Sequence, residues 1–78
     1  MNKDAIKTLI TDAIQCDYIE VKGDDGRHFE ALVVSPQFEG ISLLQQHKMV
    51  TATLGDRIKN DIIHAISIKT YTPAQWNK

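Results

Sequence analysis

The chain holds a single cysteine, Cys16, among its 78 residues. That excludes an internal disulfide and the four-thiolate metal sites that staple many small domains. Any metal site must therefore borrow ligands from histidines or from another chain. Long apolar runs are also missing. None approaches the roughly 18 residues that would span a bilayer. Met1-Asn2-Lys3-Asp4 leads straight into an amphipathic pattern rather than a signal peptide. The expectation is a cytosolic protein. Charge of one sign is not in excess: nine Lys and Arg against ten Asp and Glu leave a net −1. The chain thus lacks the long-range attraction that draws proteins to phosphate backbones. Catalytic motifs are absent too. Ser35, Ser42, Ser67 and Cys16 sit in no pattern that supplies a base and a group to orient it, so no enzyme is expected.

What is present is a globular composition, 42% apolar and 24% charged, well away from that of disordered chains. A chain this short has room for one core, which predicts a single domain over residues 1–78. No internal repeat or low-complexity stretch interrupts it.

Ile6, Leu9, Ile10, Ala13 and Ile14 recur at intervals of three and four, the period of a helix with one buried stripe. A helix is predicted from about Lys3 to Gln15. From Asp17 to Gly23 the period drops to two, with Ile19 and Val21 on one side and Tyr18, Glu20 and Lys22 on the other. The stretch Gly23-Asp24-Asp25-Gly26-Arg27 is rich in turn formers and leads into an antiparallel partner over His28 to Ser35. Both faces of that partner are apolar over its second half, which puts it in the middle of the sheet.

Ser35 to Gly40 reads as a structured turn, with Pro36 unable to donate to a ladder and Phe38 anchoring the turn in the core. Ser42 followed by Gln45 fits a capping box, so a second helix starts at Leu43. Within it Leu43, His47, Val50 and Leu54 are expected to share the buried face. A break near Gly55 separates it from a further helix. An isoleucine-rich strand follows from about Ile62 to Tyr71. Thr72 as cap and Pro73 at the first helical position then start a terminal turn that tucks Trp76 onto the domain.

The order is α-β-β-α-α-β. A right-handed crossover brings the third strand parallel to the second, giving an α+β fold with a three-stranded mixed sheet and helices packed on one face.

In order and spacing, His28-Phe29, Leu32-Val33-Val34-Ser35, Phe38-Glu39-Gly40, His47-Lys48, His64-Ala65 and Tyr71-Thr72-Pro73 with Trp76 resemble the signature of the BolA family. The similarity covers nearly the whole chain, and the short first loop is most like a bacterial branch of the family. The resemblance implies a class II KH-like fold with the same element order. It also implies a monothiol glutaredoxin as partner and a [2Fe-2S] cluster shared with it. As an alternative it implies transcriptional regulation through DNA bound by a helix-turn-helix-like segment. This chain departs from the family at Gln46-His47-Lys48, where many members have Arg-His-Arg. Its first loop, Gly23 to Arg27, contains neither His nor Cys.

His64 falls on the position of the family's cluster-ligating histidine. Imidazoles on one iron of a two-iron cluster suit a partner that supplies thiolates to the other. The plainer reading is a strand-end histidine bonded to backbone. His28, at the head of the central strand, is the candidate second ligand, or else merely ends the turn or pairs across strands with Glu20. Cys16 is softer and chemically apt, yet a lone cysteine beyond an apolar stripe is usually a small buried hydrophobe. His47 is expected to line the core. Gly23-Asp24-Asp25-Gly26 spells the Gly-x-x-Gly of KH domains, but it joins two strands and carries carboxylates that would repel phosphate. Lys48, Arg57, Lys59 and Lys69 form at most a modest basic patch. A monomer or weak homodimer is expected, since an edge strand can pair with a copy of itself.

Overall fold

The computed structural model describes residues 2–23, 28–55 and 66–77. The helix expected after Gly55, the first residues of the predicted last strand, and the turn at Asp25-Gly26 lie outside them.

Helix α1 runs Lys3–Ala13. Asn2 caps it: its side chain accepts a 2.8 Å hydrogen bond from the Ala5 amide, satisfying one of the free N–H groups of the first turn. Ile6, Ile10 and Ile14 are buried and Leu9 is packed against the same core. Ala13, expected in that stripe, is exposed, because the stripe centres on the 6-10-14 row and position 13 falls on its flank.

Strand β1 (Tyr18–Lys22) pairs antiparallel with β2 (Phe29–Val34), and β2 pairs parallel with β3 (Ile66–Tyr71). The sheet order is β1-β2-β3, so β2 is central as predicted. On one face Ile19 and Val21, Phe29, Ala31 and Val33, and Ile66 and Ile68 meet α1 and the second helix in one core.

That second helix, α2, spans Leu43–Leu54. Ser42 accepts from the Gln45 amide at 3.3 Å; only this arm of the predicted capping box forms. Gly55 stops the helix at φ +66°, in the left-handed region that glycine adopts without a Cβ penalty. The buried residues of α2 are Gln46, Val50 and Leu54, a correction to the predicted face. Leu43 is 61% exposed although it shares the meridian of Val50 and Leu54, because it sits in the first turn with no layer beneath it. His47 is half-buried on the flank.

Helix α3 (Pro73–Trp76) carries the full capping box: Gln75 N–H donates to Thr72 Oγ1 at 3.2 Å, and Thr72 N–H donates to Gln75 Oε1 at 2.9 Å. Its indole lies over the face of the sheet opposite α1 and α2. Trp76 stacks on Tyr18 with ring centroids 5.2 Å apart and meets Tyr71 at 5.7 Å. Tyr18 and Tyr71 flank Val34 in register. Val34 has the parity of the open face yet is 0% exposed, so the three rings cover the end of that face.

Two buried polar side chains lock the layers. Ser35 Oγ donates to the Gln15 carbonyl at 2.7 Å and accepts from the Gln37 amide at 3.1 Å, while the Ser35 amide donates to the Tyr71 carbonyl at 3.0 Å. Gln46 Nε2 donates to the carbonyls of Ile41 (2.7 Å) and Phe38 (3.3 Å). Its Oε1 accepts from Thr70. Among the described residues no buried side-chain N or O lacks a partner.

Candidate functional site

The register defines two ends of the sheet. At one, Phe29 stands beside Ile66; at the other, Val34 stands between Tyr18 and Tyr71. Five steps of β2 at about 3.3 Å separate them by roughly 16 Å.

His28 immediately precedes Phe29 at the first end and is exposed. The predicted alternative, a cross-strand pair with Glu20, does not form, because the register sets Glu20 opposite Leu32. Glu20 instead accepts from the Tyr18 hydroxyl at 3.2 Å and pairs with Lys22 at 3.5 Å. His64 lies outside the described residues.

Cys16 belongs to the other end, since the neighbouring Asp17 amide donates to the Val34 carbonyl at 2.8 Å. The thiol is half-buried and donates to the Ile14 carbonyl at 3.3 Å. Burial first, and the Asp17 carboxylate second, push its pKa up, which disfavours the thiolate a metal would take. The sheet holds it a strand's length from His28, and the two cannot serve one cluster.

Close to the Phe29 end the backbone is tight. A Cβ on Gly23 would overlap the Phe29 ring, reaching within 2.8 Å of Cε1, and would sit 3.1 Å from the His28 carbonyl oxygen. Gly23 is required here for packing, which is a better account of it than the formal Gly-x-x-Gly match.

The open face between the two ends carries a shallow depression of about 110 Å³, lined by Glu20, Lys22, Glu30, Leu32, Ser67 and Lys69. The signs balance. Lys48 lies on α2, across the sheet from Lys69, so these two cations do not form the patch envisaged from the sequence. Arg57 and Lys59 lie outside the described residues. Gln46, at the position where many family members carry a cation, is 7% exposed and points into the core, so this position presents no charge to solvent. Sequence reasoning missed the Gln46–Thr70 contact and the Tyr18–Trp76–Tyr71 stack. The second had a signal: Tyr18 opens one strand and Tyr71 closes another, and Trp76 follows a cap and a proline.

Among the described residues no three His, Cys, Asp or Glu side chains gather into a metal-holding set, and no helix is long and apolar enough to cross a membrane.

Residues 8–75 match the family described as BolA-like protein, and the chain belongs to that family. Within it the chain is similar to the acid stress protein IbaG of Escherichia coli K12, at 36% identity over 97% of this chain and 89% of the relative, and falls with the IbaG-like bacterial branch. Among solved structures it is similar to a bolA protein homologue from Coxiella burnetii. That match has a TM-score of 0.82 and 38% identity, covering 100% of this chain and 99% of the other. The BolA domain of SufE1 from Arabidopsis thaliana matches with TM-score 0.80 at 29% identity, covering 92% of each chain.

Proposed function

We propose that this chain is a non-catalytic cytoplasmic adaptor that docks a monothiol glutaredoxin and shares a [2Fe-2S] cluster with it in iron homeostasis or stress response. His64 is the principal ligand and His28 the second. The observation that carries the reading is the parallel register of Phe29 with Ile66. In the chain His28 directly precedes the first and His64 stands two residues before the second. This supports assigning both residues to the same end of the sheet. His28 is exposed there, as a ligand shared with another protein must be. Imidazole fits one iron of such a cluster, and the half-buried Cys16 at the far end, its thiolate disfavoured by burial, is the poorer candidate. Thiolates for the other iron would come from the partner. When bound, the cluster would supply redox or iron-transfer chemistry; the chain's own residues hold and orient.

The occurrence of a BolA domain within SufE1 agrees with a domain that serves other proteins. Nothing in the arrangement of Lys48, Lys69 and the buried Gln46 favours a DNA interface.

The test is anaerobic titration of the whole chain into cluster-loaded monothiol glutaredoxin, followed by visible circular dichroism. The spectrum is expected to change on mixing, to lose that change in His64→Ala, to shift differently in His28→Ala, and to be unaffected in Cys16→Ser. An unchanged spectrum on mixing, or a His64→Ala response identical to wild type, would overturn the assignment.

A further inference from the structure

The rings at the Val34 end of the sheet form a slot that is already filled. Tyr18 and Tyr71 flank Val34 in register, so their strands stand two spacings, about 9.5 Å, apart. The indole of Trp76 has its centroid 5.2 Å from one ring and 5.7 Å from the other. It therefore bridges the gap above Val34, which has no exposed surface. Little holds it there. Helix α3 is four residues long and buries none of them, and Trp76 itself is 41% exposed. Among the described residues, every hydrogen bond made by residues 73–77 stays within residues 72–77. A single helical turn is not stable in water by itself, so the ring contacts are what keep α3 on the sheet.

We infer that α3 is a strap that lifts off while the sheet stays folded, and that the slot it vacates between Tyr18 and Tyr71 docks an aromatic side chain of a partner protein in place of Trp76. The chain itself shows what fits: an aromatic ring carried on one turn of polypeptide, stacked at 16° on Tyr18 over an apolar floor. The same stacking is open to a ring presented by another chain. Trp76 competes with that ring and lowers its apparent affinity in proportion to the fraction of time the slot stands open. The slot lies at the end of the sheet opposite His28, so the inference stands apart from the cluster reading.

Two measurements on the whole chain test this. In a urea titration of wild type, the emission of Trp76, the one tryptophan, is expected to shift to the red at lower urea than the far-ultraviolet circular dichroism is lost. For docking, the probe is N-acetyl-tryptophanamide, titrated into isotope-labelled protein and followed by amide chemical shifts. In Trp76→Ala the amides of Tyr18, Val34 and Tyr71 are expected to shift saturably. Wild type should need about tenfold more probe, and Tyr18→Ala combined with Trp76→Ala should not respond. Coincident emission and circular dichroism transitions would overturn the inference. So would a folded Trp76→Ala chain whose Val34 amide ignores the probe, or a wild type that binds it as tightly as Trp76→Ala. The urea measurement uses no variant and decides the matter even where Trp76→Ala does not fold.

Discussion

The hydroxyl of Thr70 donates a 2.6 Å hydrogen bond to Oε1 of Gln46, joining β3 to α2 inside the core. The same amide holds the Phe38 and Ile41 carbonyls, so one side chain ties strand, turn and helix together. Thr70→Val keeps the shape and orphans the amide oxygen, for an expected loss of about 1–2 kcal/mol. Gln46→Leu orphans the Ile41 carbonyl and the Thr70 hydroxyl, while the Phe38 carbonyl keeps the Ile41 amide, and should cost about 2–3 kcal/mol. The double variant should lose less than the two added together. Urea denaturation of the four proteins measures all of this.

Gly23 and Gly40 should respond to alanine for different reasons. At Gly23 the new Cβ meets the Phe29 ring, and overpacking of this kind costs about 1–3 kcal/mol. At Gly40 there is nothing within 4 Å, but φ is +73°, so the penalty is backbone strain of about 1–2 kcal/mol. Phe29→Leu in the Gly23→Ala background should recover part of the loss at position 23, and no side-chain change should do so at position 40. Thermal melts of the set check both.

Trp76 stacks on Tyr18 and meets Tyr71, shielding Val34. Trp76→Ala should destabilise the fold by about 1–2 kcal/mol through lost apolar contact and ring stacking. Because Trp76 is the one tryptophan of the chain, its emission reports the contact directly. Tyr18→Ala should shift that emission to the red without unfolding the domain.

The thiol of Cys16 is held above its ordinary pKa by burial and then by Asp17. A folded-state acid with a raised pKa keeps its proton longer than the unfolded chain does. Its stabilising effect is therefore complete below the ordinary thiol pKa and declines as pH rises through the interval up to the folded value. Stability should fall with alkaline pH in wild type and fall less in Cys16→Ser. Asp17→Asn should quicken alkylation of the folded thiol at a fixed mildly alkaline pH.

Most of the local structure was written in short-range chemistry. The Ile6-Ile10-Ile14 row, Ser42 before α2, Gly55 after it and the Thr72-Pro73 start of α3 each satisfy backbone groups or bury a stripe within a few residues, and each lies where the spacing implied. The errors arise where burial is decided by a distant layer. Leu43 shares the meridian of Val50 and Leu54 but overhangs the sheet. Gln46 reads as a surface residue until Thr70 and two turn carbonyls are brought to it. Val34 looks half-open until the indole from α3 folds over it. The candidate site was legible as residue types, and the register added which of them share an end: His28 belongs with the start of β3, and Cys16 does not.

The pairing of β2 with β3 also fixes an order of assembly. The hairpin of β1 and β2 can zip through a short loop, whereas the parallel ladder joins segments that flank the whole of α2 and must wait for that long loop to close. The seam where Phe29 meets Ile66 is therefore expected to form after the hairpin on folding. Amides of residues 66–71 are expected to exchange with solvent ahead of those in the hairpin, so that among the described strands β3 is the one whose docking onto the sheet is most easily undone.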